Sequence, residues 1–126
     1  MNRLCGLLLV VSGLVSQLAL GDPLEEAFAA CREIQERSDG VACTLAQREP
    51  GLFDLWVIGQ NREGVEPYIL RAGEIAKTVC INNNVFLTAG FQNKKLEVHA
   101  LTFECKQSER KLRKLRGWHV AGGPIT

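Results

Sequence analysis

"KQSERKLRKLRGWHV", Lys106 to Val120, is the stretch on which the fold turns. Its local signals read as a helix. Ser108 can cap the start, Glu109 sits at the positive end of the dipole, Lys114 and Arg116 at the negative end, and Gly117 is the stop. Leu112 and Leu115, three positions apart, would dock it. This predicts a short, basic third helix closing the chain.

Moving toward the amino end, "VFLTAGFQ" and "LEVHALTFECK" flank the polar turn Asn93-Lys94-Lys95 and are rich in β-branched and aromatic residues, the pattern of an antiparallel hairpin. "YILRAGEIAKTVC" before them places Ile69, Ala72, Ala76, Val79 and Cys80 on one helical stripe, with Asn82-Asn83-Asn84 as its end and "GQNREGVEP" as the preceding loop. Val41 to Ala46 and Leu52 to Ile58 read as two strands joined by Gln47-Arg48-Glu49-Pro50-Gly51. The second of these is apolar on both faces, Phe53, Leu55 and Val57 on one and Trp56 and Ile58 on the other, which suits a central strand.

Upstream again, Asp22-Pro23 with Glu25 and Glu26 opens a helix carrying Leu24, Phe28, Cys31 and Ile34 at helical spacing, and Ser38-Asp39-Gly40 ends it. The resulting order is α-β-β-α-β-β-α. Strands grouped in hairpins and separated by helices predict an α+β fold: a mostly antiparallel four-stranded sheet covered on one face by the two longer helices.

The first 21 residues predict a secretory signal peptide. Arg3 precedes an apolar run from Leu4 to Leu20, and the small-residue pattern Ala19-Leu20-Gly21 stands just before Asp22. An uncleaved anchor is the competing reading; Gly6, Ser12, Gly13, Ser16 and Gln17 dilute the run and count against it. The expectation is therefore a secreted or periplasmic chain with no membrane span after processing, residues 22–126 forming a single domain.

Cleavage would discard Cys5 and leave Cys31, Cys43, Cys80 and Cys105. An even count bound for an oxidising compartment predicts two disulfides. Four cysteines allow three pairings, and the order of elements favours Cys31–Cys43 and Cys80–Cys105, since each pair brackets one reversal of the chain.

Chemistry-bearing motifs are sparse. There is no G-x-S-x-G, P-loop or H-E-x-x-H, no C-x-x-C, and the imidazoles, His99 and His119, have no ligand spacing to the cysteines. Neither a metal nor a cofactor is expected. With the thiols oxidised, a cysteine nucleophile has no basis, and Glu25-Glu26 are accounted for as helix-start acids.

What stands out is charge. Lys106, Arg110, Lys111, Arg113, Lys114 and Arg116 face one acid, Glu109, for net +5 over Lys106–Arg116, whereas Asp22–Cys105 carries net −5. The plain reading is a solvated helix face, or a helix clamped on the acidic body of its own molecule. The functional reading is a strip for an anionic envelope or extracellular component or an acidic protein, with Trp118 as an apolar anchor. A near-neutral exported chain makes nucleic acid an unsuitable partner.

The leader, the four-cysteine layout and the block "AKTVCINNNVFLTAGFQ" resemble small secreted or periplasmic proteins of unknown function from Pseudomonas-like proteobacteria. The resemblance implies a bacterial source and carries over no site residue. The expected function is that of a disulfide-stabilised binding protein. The alternatives are an inhibitor or immunity-type protein that blocks a toxin or envelope hydrolase through an exposed loop such as Gln60 to Glu66, and a small hydrolase.

Overall fold

A computed structural model of the chain describes residues 22–122; the expected signal peptide lies outside them. The elements are α1 (Pro23–Arg37), β1 (Ala42–Glu49), β2 (Leu52–Gly59), α2 (Arg62–Val79), β3 (Asn84–Gln92), β4 (Val98–Lys106) and β5 (Lys111–Gly122). The sheet has five strands in the order β1-β2-β3-β4-β5. Its pairings are antiparallel except that β2 and β3 run parallel, so the sheet is mixed.

Two expectations are thereby corrected. The sheet is five-stranded and mixed, not four-stranded and mostly antiparallel, and the basic carboxyl-terminal helix does not form. The order is α-β-β-α-β-β-β.

The physical reason for the second correction lies at Ser108. Cap residues and turn residues are chemically the same, because both use short polar side chains to satisfy nearby backbone groups. Here the residues after Lys106 make a tight reversal: the Glu109 and Arg110 amides both donate to the Lys106 carbonyl, at 2.9 and 2.7 Å, and Arg110 takes a positive φ of 53°. The alternative helix, two leucines long on its apolar side, would have paid the nucleation cost for little burial. As a strand, Lys111–Gly122 instead supplies hydrogen-bond partners along the whole outer side of β4.

The parallel pair arises from α2. An 18-residue helix returns the chain to the end of the sheet where β2 began, so β3 starts beside Leu52 and runs with β2. That helix is longer than the apolar stripe suggests. It begins at Arg62, where the Asn61 side chain accepts from the Gly64 amide at 2.7 Å, and it runs through Pro67. Proline removes one helical hydrogen bond. Burial of Val65, Ala72 and Ala76, each 0% exposed, offsets the loss.

Both helices pack on one face of the sheet, over Leu45, Phe53, Leu55, Val57, Val85, Leu87, Ala89 and Leu101. Gly73 has a packing role on this side. A Cβ there would come 3.2 Å from Cδ2 of Leu112, so its absence lets β5 lie close against α2. The β1–β2 turn is Pro50-Gly51, with Gly51 at φ +82°, tighter than the five-residue connection expected.

Two disulfides fasten helices to strands. Cys31–Cys43 joins α1 to β1, and Cys80–Cys105 joins the end of α2 to β4, the two pairs preferred from chain order. Each closed loop stabilises by about 2–4 kcal/mol in the chain-entropy account.

Candidate functional site

The six cationic residues singled out from the sequence all lie on the β4–β5 hairpin, but not as one helical stripe. Lys106 ends β4, Arg110 is in the turn, and Lys111, Arg113, Lys114 and Arg116 are on β5. Strand alternation distributes them over both faces. Arg113 lies opposite Glu104 and Arg116 opposite Thr102, on the face away from the helices, whereas Lys114 lies opposite Phe103 on the helix side. All six are exposed.

β5 is also an edge strand. Its pairing with β4 shifts register between Val98 and His99, between Ala100 and Thr102, and between Thr102 and Phe103. Lysines and bulges on an edge discourage pairing with another copy, since two such edges would oppose like charges. The other edge is closed differently: the Cys43 amide donates to the Gln35 side chain at 3.1 Å, beside the Cys31–Cys43 bond.

The electrostatics are lopsided. Among the described residues, only Arg113 of the six makes an ion pair, with Glu104 at 2.9 Å. The acidic body of the molecule does not clamp the rest. Arg48 and Asp54 form a two-bonded fork across β1 and β2, at 2.9 Å from Nε to Oδ2.

Trp118 stands apart from the cations. Half-buried on the helix side, it packs against Phe91 with ring centroids 5.5 Å apart, and the Arg62 guanidinium lies 4.9 Å over its ring. Phe91 in turn stacks on His99 at 4.9 Å. His99 Nε2 is 3.1 Å from the Asn93 amide and 3.7 Å from Glu97. The Asn93 amide donating to Glu97 at 2.9 Å holds that carboxyl below the usual glutamate range; some loss of solvation opposes this, and the charges of His99 and Lys95 reinforce it. His99 is thus a strand residue of β4 packed on Phe91 beside the Asn93 turn.

The sequence reading placed none of Thr44, Trp56, Thr88 and Thr102, on the face turned away from the helices, in its candidate site. β2 was expected to be central because it is apolar on both sides, and it does lie between β1 and β3; Trp56 on it is 50% exposed on the uncovered sheet face. A signal was available: both long helices were assigned to one face, which leaves the other bare.

A hollow of about 510 Å3 between α1 and β1 is lined by Phe28, Arg32, Gln35, Thr44 and Leu45 around the disulfide, with one carboxylate, Glu36; a smaller one of about 200 Å3 between α1 and α2 holds Glu26 and Glu74 beside Arg71. Among the described residues no group of three His, Cys, Asp or Glu is placed to hold a metal ion, and no helix is long and apolar enough to cross a membrane. Gln60 to Glu66, offered above as an exposed loop, is instead a short turn leading into the first turn of α2. No family model, curated protein or solved structure matches the chain.

Proposed function

We propose that the protein is a secreted or periplasmic, disulfide-stabilised binding protein that engages an anionic envelope or extracellular partner through the β4–β5 hairpin. The observation that carries this reading is the set of cations at Lys106, Arg110, Lys111, Lys114 and Arg116, which have no ion-pair partner among the described residues although Asp22–Cys105 has net −5. A purely structural basic strand would gain by pairing with that surplus. The two disulfides are consistent with an oxidising compartment.

Reversing Lys111, Lys114 and Arg116 to glutamate tests the reading. Exposed charges contribute little to stability, so the melting temperature should stay within a few degrees of wild type. Retention on a sulfated-polysaccharide column at low salt should be lost, and wild-type retention should fall as salt screens the contact. A wild type that is not retained at low salt, with a mutant that melts much earlier, would refute it.

A further inference from the structure

The open face of the sheet carries a row of side chains that crosses all five strands. Thr44 is paired with Trp56, Trp56 with Thr88, Thr88 with Thr102, and Thr102 with Arg116. Directly paired residues share a face, and neighbouring strands are about 4.8 Å apart, so the row is about 19 Å long with about 14 Å from Trp56 to Arg116.

The rows on either side prepare this one for an anion. On one side lie Asp54, Phe86, Glu104 and Arg113, and both carboxylates are neutralised, Asp54 by Arg48 and Glu104 by Arg113. On the other lie Ile58, Gly90, Ala100 and His119, whose central members are small. Gly90 is held to glycine by close approach: a Cβ would lie 2.8 Å from the His99 carbonyl oxygen. On that side nothing tall stands beside Thr88 and Thr102, whereas Phe86 and the Glu104–Arg113 pair wall the other side; the uncompensated charge of the row is the Arg116 guanidinium.

We propose that this row binds an acidic polysaccharide, a chain of sugar units bearing carboxylate or sulfate groups, laid across the strands. The proposal rests on the reading of β5 as an anion-binding edge and names its ligand class. Each part of the row matches one part of such a chain. A half-exposed indole offers a flat apolar surface to the C–H face of a sugar ring. Threonine hydroxyls both donate and accept, as sugar hydroxyls require. The Arg116 fork suits a carboxylate or sulfate, and Lys111 and Arg113 extend the positive field along the edge. The strand spacing is close to the length of one sugar unit, so successive units would lie over successive strands.

The other anionic surfaces fit less well. A bilayer would have to take up the threonines and two ion pairs that flank Trp56, which strongly disfavours insertion. An acidic protein would need an aromatic anchor seated in a pocket, whereas Trp56 lies on a flat face.

Titration calorimetry with polygalacturonate and heparin, neutral dextran as control and anionic phosphatidylglycerol vesicles as comparator, tests the proposal. Wild type should bind the two acidic glycans and not dextran. Trp56→Ala should weaken binding about tenfold, the loss of one aromatic contact, while Trp56→Phe, which keeps a ring and guards against a misfolded alanine variant, should weaken it severalfold less. Thr88→Val with Thr102→Val should also weaken it, and Trp118→Phe should not. If the Lys111, Lys114 and Arg116 reversal abolishes glycan binding but Trp56→Ala and Trp56→Phe leave it unchanged, the row is overturned and the basic edge stands. If wild type binds only the vesicles, the ligand class is overturned. If it binds none of the probes, both readings fail.

Discussion

Adding one methyl group at Gly73 tests whether β5 lies against α2. Glycine in a helix interior costs about 1 kcal/mol relative to alanine, so Gly73→Ala on a bare helix surface should stabilise by that amount. Here the new Cβ would meet Cδ2 of Leu112 at 3.2 Å, a few tenths of an ångström inside ordinary contact. Leu112 is half-buried and can give a little, so crowding should offset most of the helix gain and leave a net change of about 0–0.5 kcal/mol. Removing the obstruction restores the gain. In a Leu112→Ala background, itself destabilised by about 1–2 kcal/mol for a partly buried leucine, Gly73→Ala should stabilise by about 1 kcal/mol. The double-mutant cycle should then give a coupling of about 0.5–1 kcal/mol. Urea unfolding followed by tryptophan fluorescence measures all four proteins, with equal m-values as the control for two-state behaviour. A Gly73→Ala effect that is the same in both backgrounds would mean that Leu112 is not beside α2.

Two further outcomes follow from covalent and polar features. Loops of sequence separation 25 and 12 predict losses of about 3.5 kcal/mol for Cys80→Ala with Cys105→Ala and about 2.8 kcal/mol for Cys31→Ala with Cys43→Ala, with non-reducing peptide mapping of wild type finding both links and no free thiol. For Glu97, a folded pKa below the ordinary value means a small stabilisation that is present above the unfolded pKa and lost as pH falls through the folded one. Asn93→Ala should move the Glu97 carboxyl titration upward in NMR; an unchanged midpoint would rule out the Asn93 amide as its cause.

How far the residues disclosed this molecule depended on whether a local signal had one tertiary solution or two. Asp22-Pro23 and Ser38-Asp39-Gly40 bound α1 as read, because an acidic cap beside proline and a glycine stop have few other uses. The Val85–Cys105 region was legible as a hairpin through its β-branched and aromatic residues. Ser108 was ambiguous, since the same hydroxyl chemistry serves a helix cap and a hairpin turn, and the choice was made by the unpaired side of β4. The stretch "GQNREGVEP" was read as a loop, yet buried Val65 and the Asn61 cap sustain a helix through most of it. The basic residues of the candidate site were visible as composition. Their placement was not, because a residue change from helix to strand converts one stripe into two faces. Trp56 was read only as part of a central strand, and its exposure follows from both helices covering the other face.

The position of the second disulfide gives the molecule two tiers of durability. Cys105 is the last cysteine, and β5 begins six residues after it, so the final strand belongs to neither covalent loop. Peeling β5 from β4 breaks hydrogen bonds and the Leu112 and Trp118 contacts but leaves α1 through β4 stapled. Such an opening is the low-energy, local kind that admits proteases while the remainder stays folded. The arginines and lysines of the strand are also cleavage sites for trypsin-like enzymes. In an extracellular setting a bound polyanion would then act as a sheath, and the lifetime of the intact carboxyl-terminal strand would report whether the partner is there.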